Sequence, residues 1–233
     1  MFEEQVPLST HSSYKIGGKA RYFFKAESAE SLIKAVEIAK KMRLPIFILG
    51  GGTNILFNES GWDGAVIQIS LKDIVVDSGI VTAGAGLEIK NLLEFTAEKS
   101  LAGLEWAGGL PGTVGGAVRG NAGAFGGETK DRILEVTSLN ISSGRPQIVK
   151  RTKDKCGFGY RTSVFKKKNK EIVLTAKFLL EKGDKKTIES EIAAKIDYRR
   201  ERHPLEHPNV GSIFKNVDLK KINKKFRPAV KGI

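Results

Sequence analysis

A glycine-rich segment with polar ends is the first part of the sequence that could do chemistry. Gly50–Asn54 reads Gly-Gly-Gly-Thr-Asn and directly follows a short apolar run, Ile46–Leu49, which is typical of a buried strand. Successive glycine N–H groups beside a hydroxyl and a carboxamide can donate hydrogen bonds to a diphosphate. A plain tight turn is the alternative for this segment taken alone.

A second glycine-rich region favours the binding interpretation. Gly108–Gly116 and Asn121–Gly127 consist almost entirely of glycine and other small residues. Two such loops let a large, flat, anionic cofactor approach the main chain closely, which a purely structural role seldom requires. The region contains neither the phosphate-binding loop ending in Gly-Lys-Ser/Thr nor Gly-x-Gly-x-x-Gly between a strand and a helix, so both common nucleotide-binding motifs are excluded.

Composition narrows the class of protein. The 233 residues are 40% hydrophobic, enough for one large or two modest domains. We expect no membrane span and no secretory signal, and therefore a cytoplasmic protein. Because Cys156 is the single cysteine and His11, His203 and His207 are the only histidines, we expect no disulfide and no metal site. We treat Cys156, His203 and His207 as structural.

The chain is basic, with 39 Lys and Arg against 26 Asp and Glu, a net charge of +13. Much of this charge is scattered lysine, with short runs at 166–168 and 220–225 and no interleaved aromatic residues. We therefore expect no nucleic-acid partner, since base-stacking proteins carry aromatic side chains along a basic stripe. An anionic membrane surface and phosphorylated small ligands are the other partners that such a charge favours, and we leave its role and the oligomeric state open.

The elements that must position these loops alternate between helix and strand. Periodicity predicts a helix over Ser28–Met42 with Ser28 as N-cap, and another over Glu88–Leu101. Gly103–Gly127 has little periodicity and is expected to be a long functional loop. A further helix after Gly183 places Ile188, Ile192 and Ile196 on one face, which we expect to be exposed. Strands are predicted at Ile46–Leu49, Ala65–Ile69, Ile74–Val76, Ile80–Ala83, Ile133–Ile141, Gln147–Arg151 and Ile172–Leu180.

Five ordered motifs resemble the UDP-N-acetylenolpyruvoylglucosamine reductase (UDP-N-acetylmuramate dehydrogenase) family over nearly the whole chain. They are Ile48–Phe57, Gly103–Ala117, Asn121–Gly126, Tyr160–Ser163 and Gly211–Asn216. The resemblance implies an α+β, two-subdomain FAD-binding fold of the vanillyl-alcohol-oxidase type, followed by a partial α/β substrate domain. It places the FAD-binding subdomains at 1–75 and 76–182, and the start of a truncated substrate domain at 183–233.

The resemblance also implies the activity. Family members reduce the enolpyruvyl ether of a UDP-sugar with NADPH, through non-covalent FAD, and make UDP-N-acetylmuramate for bacterial peptidoglycan. The UDP-sugar and NADPH are the expected partners.

Site residues carried over from the motifs fall into three groups. Arg161 takes the place of the arginine that stabilises an enolate-like intermediate, and Ser212 that of the proton donor. By itself Ser212 is a poor hydrolase nucleophile, because no histidine or Gly-x-Ser-x-Gly turn accompanies it. Tyr160, Lys215 and Asn216 are expected to bind substrate. The expected cofactor-binding residues are Gly50, Gly51, Gly52, Thr53, Asn54, Pro111, Gly112, Thr113, Gly115, Gly116, Asn121 and Gly123.

The sequence departs from the family in ways that leave alternatives open. The family continues for several dozen residues beyond Gly211–Asn216 and supplies a catalytic glutamate that has no counterpart here, so we expect a missing C-terminal segment and little turnover. The short path from Leu180 to His203 leaves no room for a tyrosine-bearing insertion, as in the shorter class of the family. The alternatives are a flavin oxidase of the same fold, and a truncated, non-catalytic protein that binds FAD or a UDP-sugar.

Overall fold

The structure is a computed structural model that describes residues 2–204 and 206–216. The first elements are β1 (Glu3–Pro7), a 3-10 turn (Leu8–His11), β2 (Lys19–Ala26), α1 (Ala29–Lys41), β3 (Ile46–Leu49) and β4 (Trp62–Ile69). Their strands form a four-stranded sheet in the order β1-β2-β4-β3, in which β2, β4 and β3 are parallel and β1 is antiparallel to β2.

Helix α1 connects β2 to β3 and begins where the sequence predicts. Ser28 and Ser31 cap it reciprocally, each hydroxyl accepting a hydrogen bond of 3.1 Å from the other's backbone N–H. Its apolar stripe is buried, while its charged residues face outward. Strand β3 then ends at Leu49, so Gly50–Asn54 begins at the carboxyl end of a parallel strand, where open α/β sheets commonly bind ligands.

The elements after β4 are β5 (Ile74–Asp77), β6 (Ile80–Gly84), α2 (Ile89–Glu98), β7 (Leu101–Ala102), α3 (Val114–Gly120), β8 (Gly123–Ala124), β9 (Gly127–Glu128), β10 (Ile133–Asn140), β11 (Gln147–Thr152), α4 (Val164–Lys167), β12 (Glu171–Leu179), β13 (Glu181–Lys182) and α5 (Lys185–Arg202). Five of these strands form the second sheet, which is antiparallel and has the order β11-β10-β12-β6-β5. Further 3-10 turns lie at Glu105–Ala107, Thr129–Asp131 and Lys153–Cys156.

One large apolar core joins the two sheets. It includes Leu32 and Ile67 of the first part and Val81, Leu139 and Phe178 of the second, all nearly inaccessible to solvent. The chain changes sheet between Ile69 and Ile74, so the subdomain boundary expected after residue 75 cuts through β5.

The glycine-rich region is more regular than its sequence suggests. The expected long loop at Gly103–Gly127 contains α3, which Thr113 caps by accepting a 3.4 Å hydrogen bond from the N–H of Gly116. Val114 and Val118 of this helix are fully buried. Tertiary packing therefore stabilises a helix that local propensity disfavours.

The expectation of an exposed apolar face on α5 is wrong. Ile188 is 3% exposed and lies against Gly183, while Ile192 and Ile196 are half-buried. Helix α5 packs on α2, β7 and the 3-10 turn at Glu105–Ala107, so these existing elements cover the face.

An ion pair in the second sheet gives a testable contribution to stability. Both nitrogens of the Arg151 fork donate to Glu171, at 2.9 and 2.6 Å, and the Ser138 hydroxyl donates to the same carboxylate at 2.7 Å. The Arg151 hydrogen bonds hold the pKa of Glu171 below its usual value. We expect Glu171→Gln to lower the free energy of unfolding at pH 7 by about 2–3 kcal/mol.

The pH dependence of this loss has a defined sign. A lowered pKa in the folded state stabilises the protein above the ordinary carboxyl pKa of about 4.3, and the gain is lost as pH falls through the folded-state value. The difference between wild type and Glu171→Gln in urea unfolding should therefore shrink below pH 4. Glu27→Gln, which breaks an exposed pair with Lys25, is the matched control and should change stability little. A difference that is constant from pH 7 to pH 3 would contradict the assignment.

Candidate functional site

Two glycine loops that are far apart in sequence meet beyond the end of β3. A Cβ added to Gly51 would lie 3.2 Å from the Cα of Gly112, and one added to Gly112 would lie 2.7 Å from the hydroxyl of Thr53. A Cβ on Gly50 would come within 2.8 Å of the Thr113 hydroxyl. The close approach of the loops therefore requires residues without side chains.

Gly52 packs against the N-terminal segment at residues 11–13. Its φ of +66° is in the left-handed region, and an added Cβ would lie 1.9 Å from the carbonyl oxygen of His11. Its own carbonyl accepts a 3.1 Å hydrogen bond from the N–H of Ser13. Only glycine fits this position without displacing the backbone.

The first loop fits a diphosphate group. The N–H groups of Gly51, Gly52, Thr53 and Asn54 donate no hydrogen bond to any atom of the described residues. Four consecutive donors at the end of a strand, in a loop cleared of side chains, are what a dinucleotide diphosphate needs. Gly112 and Thr113 lie against this loop, and Gly112 has a φ of +107°.

Two of the expected cofactor-binding residues serve the protein itself. Gly115 donates its N–H to the carbonyl of Ala85 at 2.8 Å, and a Cβ there would lie 2.9 Å from that of Ala85. This glycine lets α3 pack closely on the end of β6. Asn121 is fully buried, and its side chain hydrogen-bonds within the protein. Gly116 lies in α3 and Gly123 in β8, both close to the second glycine loop.

Arg161 lies in a tight turn that opens at Gly159. The N–H of Gly159 donates to the carbonyl of Thr162 at 3.0 Å, and the reverse bond is 3.1 Å. Arg161 occupies the third position of this turn with a φ of +54°, a backbone conformation that residues with a side chain rarely adopt. Lys166 donates from Nζ to the Arg161 carbonyl at 3.1 Å. Backbone strain of this kind is typical of functional positions.

The Gly211–Asn216 segment reaches the same turn. The backbone N–H of Asn216 donates to the hydroxyl of Tyr160 at 3.1 Å. Ser212 and Lys215 lie on this segment and are exposed. The fold thus brings Tyr160, Arg161 and the segment that carries Ser212, Lys215 and Asn216 together.

Four cations converge there. Partial burial, followed by the nearby charges of Lys215, Arg119 and Arg161, lowers the pKa of Lys166. Within the described part of the chain, none of these four side chains forms an ion pair with a carboxylate. Sequence reasoning missed Arg119 and treated Lys166 as part of a solvated run. An unpaired cluster of this kind attracts an anionic ligand.

Other candidate features do not form a site. An open depression of about 780 Å³ is lined by Lys19, Arg21, Trp62 and Asp63, but Arg21 and Asp63 pair with each other at 3.1 Å. Burial raises the pKa of the Cys156 thiol to about 11, so it is not a nucleophile at neutral pH.

A search of residues 2–204 and 206–216 finds no group of three or more metal-ligating side chains. No helix in those ranges is long and apolar enough to cross a membrane.

Comparison with protein families and curated sequences places the chain among flavoproteins. Residues 20–149 match a family model described as an FAD binding domain. A UDP-N-acetylenolpyruvoylglucosamine reductase of Clostridium botulinum (strain Eklund 17B) is 37% identical over 93% of this chain and 70% of its own length. The same enzyme of Anoxybacillus flavithermus is 37% identical, over 92% of this chain and 70% of its length.

Solved structures agree. The UDP-N-acetylenolpyruvylglucosamine reductase (MurB) of Thermus caldophilus superposes with a TM-score of 0.77 at 29% identity, covering 93% of this chain and 76% of that one. A cholesterol oxidase of Brevibacterium sterolicum superposes at 0.61 with 14% identity, over 78% of this chain and 38% of that one, which shows a shared fold only. The expected two-subdomain FAD-binding fold is confirmed.

Proposed function

The chain belongs to the UDP-N-acetylenolpyruvoylglucosamine reductase family, and from this premise we propose how its own residues carry out the reaction. The protein is an FAD-dependent oxidoreductase of peptidoglycan precursor synthesis. It reduces the enolpyruvyl ether of UDP-N-acetylglucosamine to the lactyl ether of UDP-N-acetylmuramate, with NADPH as the reductant. Since NADPH and nucleotide sugars are cytoplasmic metabolites, we propose that it acts in the cytoplasm.

The observation that carries the proposal is the unused row of N–H donors at Gly51–Asn54, in a loop that lies against Gly112 and Thr113. Gly50–Asn54 would hold the FAD diphosphate through these donors, and Pro111–Thr113, Gly116 and Gly123 would line the flavin side. Bound FAD supplies two-electron hydride chemistry. The internal bonds of Asn121 and Gly115 give these two residues a supporting role.

Arg161 stabilises the charge that the reduction creates. Adding a hydride to the methylene carbon of the enolpyruvyl group develops negative charge on the adjacent carbon and its carboxylate. A guanidinium offers a permanent positive charge and forked donors to such a carboxylate. Arg161 is half-buried and takes part in no salt bridge among the described residues, which leaves its guanidinium available for this role.

Ser212 is the proposed proton donor to the same carbon, because a high-pKa hydroxyl can protonate a carbon that is more basic still. Tyr160, Lys215 and Asn216 are the proposed substrate contacts. Tyr160 already receives the N–H of Asn216 at 3.1 Å, so these residues would bind the sugar nucleotide together. We propose that the FAD-binding part extends to Lys182 and that the substrate-binding part begins at 183, with its helix α5 packed on the FAD-binding part.

The test is release of the flavin and its redox response. We expect heat-denatured protein to release FAD in solution, because no cysteine or histidine lies in either glycine loop to form a covalent link. NADPH should bleach the bound flavin, and the enolpyruvyl UDP-sugar should restore its colour under anaerobic conditions. Release of FMN alone would contradict the proposal. Reduction of the flavin by an alcohol, with reoxidation only by oxygen, would also contradict it and would indicate an oxidase.

Two glycine-to-alanine variants test the binding loop directly. Gly52→Ala should weaken FAD binding about 10- to 100-fold, because the new Cβ clashes with the His11 carbonyl at a strained φ. Gly144→Ala is the matched control: no atom lies within 4 Å of its Cβ position, and it should bind FAD like wild type. Fluorescence titration of apoprotein measures both affinities. Equal FAD affinity for the two variants would rule out the loop as the diphosphate site.

A further inference from the structure

We propose that Asn121 is a positioning residue for Arg161: its buried carboxamide holds the turn that carries the arginine at a set place relative to the glycine loop. This role differs from the cofactor contact that the sequence motif suggests. Asn121 ends α3 with a φ of +44° and is completely buried. Asparagine is one of the few residues that tolerate this backbone conformation.

Every donor of the Asn121 carboxamide is used inside the protein. Nδ2 donates to the carbonyl of Gly159 and to the carboxylate of Glu128, both at 3.1 Å. Oδ1 accepts the backbone N–H of Lys130 at 3.0 Å. The amide group has two N–H donors, so none remains for a ligand. The side chain therefore connects α3, the β8–β9 hairpin and the turn.

The bond to Gly159 acts on the turn itself. The Gly159 carbonyl accepts from Asn121 and from the N–H of Thr162, so the hydrogen bond that closes the turn is anchored directly by Asn121. Two residues later the backbone of Arg161 is in the left-handed region. Such a conformation persists only where surrounding contacts hold it.

A second contact ties the same turn to the same helix. The hydroxyl of Ser163, fully buried, donates to the Arg119 carbonyl at 2.6 Å. Arg119 and Asn121 are at the carboxyl end of α3, while Thr113, beside the glycine loop, caps its amino end. One seven-residue helix thus spans from the proposed FAD loop to the arginine turn, and its length sets their separation. Reaction rates depend steeply on such distances.

The first test needs neither cofactor turnover nor substrate. Asn121→Gly keeps a residue that accepts the positive φ and removes only the carboxamide. We expect the amides of Gly159 and Thr162 to exchange hydrogen at least about tenfold faster in this variant, as loss of one buried hydrogen bond predicts. Asn121→Asp, which replaces the donors with a charge facing Glu128, should have the same effect. This variant can be measured instead if Asn121→Gly does not fold.

Thr129→Val is the matched control. The Thr129 hydroxyl is buried and donates to the Ala122 carbonyl at 2.9 Å, in the same hairpin but away from the turn. Exchange at Gly159 and Thr162 should stay at the wild-type rate in this variant. Unchanged exchange in both Asn121 variants, or equal acceleration in Thr129→Val, would overturn the proposal.

The second test asks whether Asn121 acts through Arg161, and it rests on the proposed function. Calorimetry without NADPH gives the affinity for the enolpyruvyl UDP-sugar in a double-mutant cycle. Asn121→Gly should weaken binding of the UDP-sugar about tenfold when Arg161 is present, but at most about twofold in the Arg161→Ala background. An equal loss in both backgrounds overturns the proposal. If wild type fails to bind the UDP-sugar, the proposed function fails, and the exchange experiment still decides the role of Asn121.

Discussion

Arg161→Ala is expected to slow reduction of the enolpyruvyl UDP-sugar by about 10²–10³-fold, while reduction of the flavin by NADPH stays within a few-fold of wild type. The reason is that only the second half-reaction develops charge on the substrate carboxylate, and one lost electrostatic group in a preorganised site costs about this much. Arg161→Lys should recover only part of the rate, since an ammonium lacks the forked donors. Anaerobic stopped-flow absorbance of the flavin separates the two half-reactions.

The backbone of Arg161 allows a sharper version of this test. Because its φ of +54° strains an arginine but not a glycine, Arg161→Gly should raise the free energy of unfolding by up to about 1 kcal/mol while abolishing the same half-reaction. Arg43→Gly is the matched control. Arg43 has a φ of +57°, is exposed and follows α1, so its replacement should raise stability and leave both half-reactions unchanged.

Two outcomes would contradict the role of Arg161. Equal slowing of both half-reactions in Arg161→Ala would make it a general binding or folding residue. Full substrate reduction by the glycine variant would show that the guanidinium has no part in the chemistry.

Ser212→Ala is expected to slow substrate reduction by about 10²–10⁴-fold and to spare flavin reduction by NADPH. A positioned general acid typically contributes this much, and the proton is needed only when the substrate carbon has received the hydride. The variant should also show a larger solvent isotope effect than wild type, because slow proton transfer from water would then limit the reaction. Stopped-flow measurements in H₂O and D₂O give both quantities.

Ser143→Ala is the control for this prediction. Ser143 is an exposed serine whose hydroxyl bonds only a neighbouring loop carbonyl, that of Arg145 at 2.8 Å, and its loss should change neither half-reaction. Substrate reduction at the wild-type rate in Ser212→Ala would exclude Ser212 as the proton donor. An equal loss in both half-reactions would assign it to ligand binding.

Local sequence patterns predicted much of the fold. Helix α1 begins and ends within one residue of the prediction, because a serine cap and an apolar stripe are both visible in fifteen residues. Strand β3 and the glycine loop after it also lie where expected. The sequence analysis does not predict strand β2, although Lys19–Ala26 alternates between exposed and more buried residues at every position except the buried Phe23.

The elements that the sequence pattern did not predict depend on distant contacts. Helix α3 contains three glycines among seven residues and has low intrinsic propensity, yet it forms because Val114 and Val118 are fully buried. The buried face of α5 is a similar case. Ile188 shows the right spacing in sequence, but only the folded chain shows that Gly183 and neighbouring elements cover it.

The sequence by itself determined the chemistry available to this protein: two glycine tracts, an arginine, a serine and the family to which they point. The tertiary structure decided which of these groups come together. It brought Gly51 against Gly112, used the carboxamide of Asn121 within the protein and joined Tyr160 to Asn216, 56 residues away. The physical reason is that propensity and motif spacing depend on near neighbours, whereas hydrogen-bond satisfaction and close packing depend on groups that only folding brings together.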